Sequence, residues 1–279
     1  MKLLTWNIQW GLGCDGRLDL ARIARTAREW CDADVFCFQE VSANFEALDG
    51  GENQPRVLAD LFPDYRPIFR PAVELGDRDG RSRVFGNMIL SRLPVLQVTS
   101  HMLPWPAEEG RSMQRQALEA VVASNLGAVR IMTCHLEYHF ETHRQAQVAR
   151  ILELNEEAQQ RSRLSYRDPS DGPYRDQDRP VGTVLCGDFN LGPDDPLYEA
   201  ILTRRSPGQQ SFVDAWRVVH GQRPHEPTVG IADAKQWPQG PHCRDYVFVT
   251  EDLAPRIRSV RVNGVTTASD HQPIAVELT

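Results

Sequence analysis

The chain has 279 residues, 41% of them hydrophobic and 25% charged, with a formal net charge of −7, an ordinary globular composition that suffices for one large domain or two small ones. The acidic balance argues against a surface that grips nucleic acid over its whole extent, because phosphate neutralisation needs clustered Lys and Arg. No stretch reaches the roughly 18 to 20 apolar residues that cross a bilayer, no basic n-region or small-residue cleavage pattern stands before the strand-like run at Lys2, and the cysteines form no C-x-x-C pair, so reduced core thiols and a cytoplasmic location are expected.

In chain order, the apolar run from Lys2 to Thr5 ends in Trp6-Asn7. Asp19 to Trp30 then places Leu20, Ile23, Ala24, Ala27 and Trp30 at helical spacing with Arg22, Arg25 and Arg28 on the other face, which predicts an amphipathic helix. Val35 to Phe38 follows as a strand and runs into Gln39-Glu40; strand, helix, strand favours a layered α/β fold. Further strands are expected at Val84–Ser91, Val95–His101, Gln116–Ser124 and Val129–Cys134, with short turns that imply antiparallel pairing, and the last delivers His135-Leu136-Glu137. Thr142 reads as the N-cap of a second helix, with Val148, Ile151, Leu152 and Asn155 on one face down to about Arg161.

Residues 161–180 are rich in Arg, Asp and Pro and poor in core residues, which predicts a surface-loop insertion within a single domain spanning 1–279. Leu185-Cys186 ends abruptly in Gly187-Asp188-Phe189-Asn190, a strand delivering a carboxylate and a carboxamide at its tip. Gly221 to Cys243 reads as a second long loop, whose His225, Trp237 and His242 make it a candidate for substrate contact, although Trp237, like Trp10 and Trp105, fits packing or rim better. A last strand, Val262 to Ala268, is expected to run into Ser269-Asp270-His271.

Five strand ends therefore carry polar side chains. Near-continuous apolar strands suit a sheet covered on both faces, and their ends share a rim where sites form. Asp, Glu and Asn oxygens without thiolates suit a hard cation such as Mg²⁺ or Mn²⁺. The string from His135 to His139 does not make a zinc pair, since Leu136 separates His135 from the glutamate and the preceding residues read as strand.

Taken in order, the rim motifs TWNIQWG, CFQEV, GNMILSR, TCHLE, CGDFN, RDYVFV and SDH resemble those of the endonuclease/exonuclease/phosphatase superfamily, the metal-dependent phosphoesterases, from Trp6 to His271. The resemblance implies a four-layer α/β sandwich, with two mixed β-sheets face to face, helices outside and a site at one edge. It implies Glu40 as the main metal carboxylate, with Asn7 beside it and Asp270 in the shell around the ion. His271 would face the phosphorus with Asp245 orienting it, Asp188 and Asn190 would align the attacking water and phosphate oxygens, and His135 would bind a phosphate oxygen or assist the leaving group. Whether Asp188 or His271 takes the water proton stays open.

Arg115 and Arg144 lie close in sequence to rim strands and are the better candidates for phosphate contact; Arg204 and Arg205 read as a solvated helix end. Arg244 beside the site would touch a substrate phosphate or point to solvent, and Asn87 would support the site. Gln9, where repair nucleases of this superfamily carry an acid, weakens the case for a second metal carboxylate, and His135 replaces the tyrosine those nucleases place there. The implied activity is hydrolysis of a phosphate ester by direct attack of water, of phosphodiesterase or nuclease type, with a small-molecule or lipid-headgroup phosphoesterase as the alternative. No G-x-S-x-G elbow offers a competing nucleophile. A non-catalytic scaffold is the rival from another class, and each principal position carries a chemically competent residue. Nucleic acid remains a possible substrate, and no protein partner is implied.

Overall fold

A computed structural model describes residues 1–76, 80–165, 167–205 and 208–279. Its strands are β1 (Lys2–Asn7), β2 (Val35–Ala43), β3 (Arg66–Gly76), β4 (Ser82–Ser91), β5 (Val95–Met102), β6 (Gln116–Ser124), β7 (Gly127–His135), β8 (Thr183–Asp188), β9 (Phe212–Asp214), β10 (Asp245–Thr250), β11 (Ile257–Val262) and β12 (Ile274–Leu278). Its helices are α1 (Leu20–Trp30), α2 (Glu46–Asp49), α3 (Gln54–Leu61), α4 (Glu141–Ser162), α5 (Pro196–Leu202) and α6 (Ala215–His220). One sheet has the order β11-β12-β1-β2-β4-β3 and the other β5-β6-β7-β8-β10-β9. Both are mixed: β1 with β2 and β7 with β8 run parallel, and the remaining neighbours antiparallel.

Side-chain alternation assigns every strand residue to a layer. Leu3, Val35, Cys37 and Ile89 of the first sheet meet Leu118, Ile131, Val184, Cys186 and Val247 of the second in the central core. Their neighbours Leu4, Phe36 and Phe38 face outward onto Ile23, Ala27 of α1 and Leu58 of α3. Met132, Cys134, Leu185 and Phe248 face the other way, onto Val148, Ile151, Tyr198 and Ile201 of α4 and α5. The result is the four-layer α/β sandwich, each fully buried Phe or Leu contributing about 1.5–3 kcal/mol. The six cysteines are free thiols, five of them buried. Among the described residues no helix is long and apolar enough to cross a membrane.

The differences from the sequence reading have local causes. Val262 to Ala268 is not a strand: β11 ends at Val262, the Asn263 side chain accepts from the Val265 N–H to close a turn, and Val265 stands 89% exposed. Ser269-Asp270-His271 thus precedes β12 instead of following a strand. β4 and β5 do not form a hairpin, because Leu93 packs into the central core and carries the chain from one sheet to the other. β3 went unseen because Pro67 and Pro71 interrupt it, which an edge strand tolerates. Thr142 does not cap α4; Phe140 holds the N-cap position, and the Thr142 hydroxyl donates to Glu108. Of residues 161–180, the first two end α4, Tyr166 lies outside the described residues, and the rest carry no helix or strand.

Candidate active site

The rim is assembled by register. Parallel pairing brings Asn7 of β1 beside Gln39 of β2, and His135 of β7 beside Asp188 of β8. Antiparallel pairing places Asp245, the first residue of β10, opposite Asp188. A bulge between Phe38 and Val41 interrupts β2, and within it Glu40 takes φ 59°, which turns its carboxylate onto the rim while Gln39 points between the sheets. There the Gln39 amide donates to the hydroxyls of Thr5 at 3.1 Å and Thr133 at 2.8 Å, one from each sheet. Gly187 has φ 134°, and a Cβ there would stand 2.0 Å from the Cys134 carbonyl oxygen, so only glycine lets β8 lie this close to β7 beneath the site.

The side chains lie close together in hydrogen-bonded groups. Asn7 Nδ2 donates to Glu40 Oε1 and to Asp188 Oδ2, both at 3.0 Å. The Asp188 Oδ1 accepts from the Asn190 N–H at 2.9 Å, and His135 Nε2 and His271 Nε2 lie 3.5 and 3.7 Å from Asp188 Oδ2. His271 Nδ1 is 2.9 Å from Asp245 Oδ2, so its other ring nitrogen faces the rim in a fixed orientation. Asp270 accepts at Oδ2 from Gln236 Nε2 at 2.7 Å and from the Trp237 indole N–H at 3.1 Å. Asn7, Asp188, Asn190, Asp245, Asp270 and His271 are all 3% exposed or less.

Burial and mutual repulsion set the protonation states. Burial, then the Asp270 and Asp188 carboxylates, push Glu40 up to about 7 against the Asn7 hydrogen bond. Burial likewise raises Asp270, and it lifts Asp245 to about 6, still ionised at neutral pH. Burial would lower His271, yet Asp245, Asp270 and Asp188 together raise it well above its ordinary 6.5. Burial would raise Asp188, but His271, His135 and the Asn190 N–H hold it below the usual carboxylate range. His135 is pulled down to about 3 by burial and then by the Arg115 guanidinium, so it is a neutral imidazole. Among the described residues none of Glu40, Asp188, Asp245 and Asp270 ion-pairs with a lysine or arginine. Four largely buried carboxylates facing one imidazolium carry surplus negative charge that a divalent cation would offset, and Glu40 and Asp270 offer the carboxylate oxygens such an ion prefers; Asn7, expected beside the ion, instead turns its Nδ2 to the carboxylates and its Oδ1 to the Gln9 N–H. Asp188, Asp245 and His271 also bring ligand atoms within 4.8 Å of one another. The hydrogen bond between His271 and Asp245 uses the facing atoms of that pair.

A sequence model of the endonuclease/exonuclease/phosphatase family matches residues 4–271. The chain belongs to this family. Its members are phosphate-ester hydrolases. Among solved structures, a family member from Leptotrichia buccalis C-1013-b superposes with a TM-score of 0.69 at 19% identity, covering 100% of this chain and 99% of that one. A mannosyl-6-phosphatase from Bacteroides thetaiotaomicron VPI-5482 gives 0.63 at 15% identity, covering 100% and 99%. A humanized TDP2 from D. rerio gives 0.61 at 18% identity, covering 100% and 98%. These identities establish a shared fold. No curated protein matches in sequence.

Around the family rim a cleft of about 600 Å³ is lined by Glu40, His135, Asp188, Asn190 and His271, and by Arg111 and Arg115. Arg115 is 6% exposed; its Nε donates to Glu137 at 3.2 Å, and its buried Nη1 has no protein partner. The other sequence-predicted binding residues are placed differently. Asn87 does not line the cleft: its Nδ2 lies 3.4 Å from the Gln116 and Thr133 carbonyls, tying β4 to the opposite sheet. Arg144 turns away to donate to the Glu137 and Tyr138 carbonyls, bracing the chain after β7. Arg244 is half-buried behind the cleft wall: it donates to the Asn190 carbonyl at 3.0 Å and lies over the Tyr138 and Trp237 rings, 5.7 and 5.2 Å from their centroids. His225 faces Asp214 at 2.6 Å, behind β10, and has no part in the cleft. Arg204 and Arg205, past the end of α5, pair with Glu251 and Glu156.

Trp237 and Gln236, which hold Asp270, were not assigned that role from sequence. They come from the long loop with no regular element, and only its two isolated bridges at Val229, to His242 and His271, locate it on the rim.

Proposed function

We propose that this family member is a divalent-metal-dependent phosphoesterase that hydrolyses its ester by direct attack of water. The observation that carries the reading is the Asn7 amide bridging Glu40 and Asp188 beside a His271 imidazole held by Asp245. Mg²⁺ or Mn²⁺ held by Glu40 and Asp270, with the Asn7 amide bracing Glu40, would supply Lewis-acid shielding of the phosphate oxygens. Asp188, kept ionised, is the proton acceptor for the attacking water, and Asn190 beside it orients the phosphate group. His271, held as an imidazolium, offers its Nε2–H to the charge that grows on the phosphoryl oxygens, a role worth about 10²–10³ in rate for a preorganised donor. Neutral His135 and the unpaired Nη1 of Arg115 face the same space and bind phosphate oxygen or leaving group.

Within that class the cleft supports a small phosphoester over a long polynucleotide. Apart from the His271 imidazolium, the cationic side chains among the described lining residues are Arg111 and Arg115, where a nucleic-acid track requires a run of them. The similarity in fold to a mannosyl-6-phosphatase accords with a small ester, and that to TDP2 keeps the nuclease-type reading in the test. The test is hydrolysis of bis-p-nitrophenyl phosphate, p-nitrophenyl phosphate, supercoiled plasmid and a 5′-modified oligonucleotide, with and without Mg²⁺ or Mn²⁺. Metal-dependent release confined to the small esters is expected; plasmid or oligonucleotide cleavage would move the protein to the nucleases, and metal-independent turnover would overturn the ion assignment.

A further inference from the structure

The cleft has two halves of opposite character. Beyond the polar rim, its flank is formed by Trp10, Phe45, Leu48, Val73, Leu75 and Phe85. A bare phosphate would leave most of the roughly 600 Å³ empty, and cavities of this size commonly enclose a whole organic ligand.

Trp10 is the part of this flank that chance packing does not explain. Its backbone lies in the left-handed region, φ 43° and ψ 30°, and the preceding Gln9 has φ 45°. For bulky non-glycine residues such conformations cost of order 1–3 kcal/mol each and persist only when surrounding contacts impose them. The contacts are present: buried Gln54 donates from Nε2 to the Trp10 carbonyl at 2.6 Å while its Oε1 accepts from the Ser42 N–H at 3.1 Å, and Asn7 Oδ1 accepts from the Gln9 N–H at 3.1 Å. Asn7 is also the residue that bridges Glu40 and Asp188, so one side chain fixes both the carboxylates and the turn that presents the indole. The Arg83 guanidinium lies over the Phe45 ring, 5.7 Å from its centroid. Three aromatic residues, Trp10, Phe45 and Phe85, lining the cleft next to a phosphate site suit a flat apolar group better than a flexible chain, since ring contacts add about 0.5–1.5 kcal/mol beyond area burial.

We infer that this flank is the subsite for an aryl group on the substrate, so that the phosphoester carries an apolar ring close to phosphorus. The inference rests on the phosphoesterase reading for the identity of the anion site, and binding separates the two. Methylphosphonate, hexylphosphonate and phenylphosphonate carry the same anion and differ only in the group offered to the flank. Titrated calorimetrically into the full chain with Mg²⁺ present, phenylphosphonate is expected to bind about tenfold more tightly than methylphosphonate and more tightly than hexylphosphonate. Trp10→Ala should narrow the phenyl-to-methyl ratio to about threefold or less. Leu75→Ser, at a side chain 45% exposed, should narrow it in a protein whose strained turn is untouched, and decides the matter if Trp10→Ala does not fold. Equal affinity for the methyl and phenyl compounds, a stronger preference for hexyl, or a ratio unchanged in the folded variants overturns the aryl subsite while leaving the phosphoesterase reading intact. Failure of all three phosphonates to bind overturns both.

Discussion

Two largely buried glutamate side chains in this sandwich have opposite fates. Glu119, on the outer face of β6, lines a cavity of about 350 Å³ beneath the segment that follows α4. Burial would raise its carboxyl, but His101 at 3.4 Å and Arg130 at 2.7 Å outweigh that and hold it at about 2. Glu40 sits at the sandwich edge among other carboxylates, with no arginine or lysine paired to it, and is pushed up to about 7. Both side chains are largely out of solvent, so burial alone does not separate them; the partners do. A carboxylate whose charge is balanced by protein groups belongs to the scaffold. One left unbalanced in a cluster is held back from ionising, and a cation beside it would restore its charge.

The widest separation between the two regions should appear in turnover. Asp188→Ala and His271→Ala are each expected to lower hydrolysis of bis-p-nitrophenyl phosphate about 10³-fold or more, with melting temperatures near wild type. Glu119→Gln should do the reverse: turnover within about twofold, but a loss of roughly 3 kcal/mol in denaturant unfolding, because Arg130 is left buried beside a neutral partner. Wild-type-like turnover in Asp188→Ala or His271→Ala would break the assignment of the functional edge.

A second contrast lies in the sign of the pH dependence. For Glu119 the folded value, about 2, is below the ordinary 4.5, so its stabilisation is present above pH 4.5 and lost as pH falls toward 2. For Glu40 the folded value, about 7, is above 4.5, so in protein stripped of metal its favourable contribution is present below pH 4.5 and lost as pH rises through 7. Glu40→Gln keeps the acceptor for Asn7 without the charge. In chelator it should therefore match wild type near pH 4.5 and exceed it by up to roughly 3 kcal/mol above pH 7. Unfolding curves of both variants across that range check the prediction, and a Glu40→Gln protein that is less stable than wild type above pH 7 would remove the unbalanced charge from the argument.

How much of this was legible in the sequence follows from where each residue sits. Asn7, Glu40, His135 and Asp188 lie at or near strand ends that begin as apolar runs, and short-range pattern finds such positions. The motif order and the sandwich architecture followed from the resemblance. Asp270 and His271 were found despite a misplaced strand, because the motif survived where the periodicity failed; Val262 to Ala268 looks extended until the Asn263-Gly264 turn is given its weight. Arginine roles were the least legible. Arg115, Arg144 and Arg244 all lie near rim motifs in sequence, yet only the direction of each side chain decides that Arg115 lines the cleft while the other two brace backbone carbonyls. The bulge that turns Glu40 outward and the strain at Trp10 are set by contacts with Asn7 and Gln54, distant partners that one-dimensional spacing does not reveal.

The smallest predicted effect tests whether a cation beside Glu40 would also face Asp270. Trp237 donates its indole N–H to Asp270 Oδ2 and packs edge-on against His271, with ring centroids 5.7 Å apart. Trp237→Phe retains most of the apolar contact and removes the donor, while Gln236 still holds the same oxygen at 2.7 Å. If Asp270 faces the ion, loosening it should weaken Mg²⁺ or Mn²⁺ about tenfold, at the low end for groups that orient a metal ligand. The readout is the metal concentration at which the melting temperature rises halfway, which needs no turnover. The metal-free variant should lose only about 1 kcal/mol of stability for the missing hydrogen bond. An unchanged metal midpoint with that same loss would make the indole a packing residue, and would confine the ion's protein ligands to the Glu40 and Asn7 side of the rim.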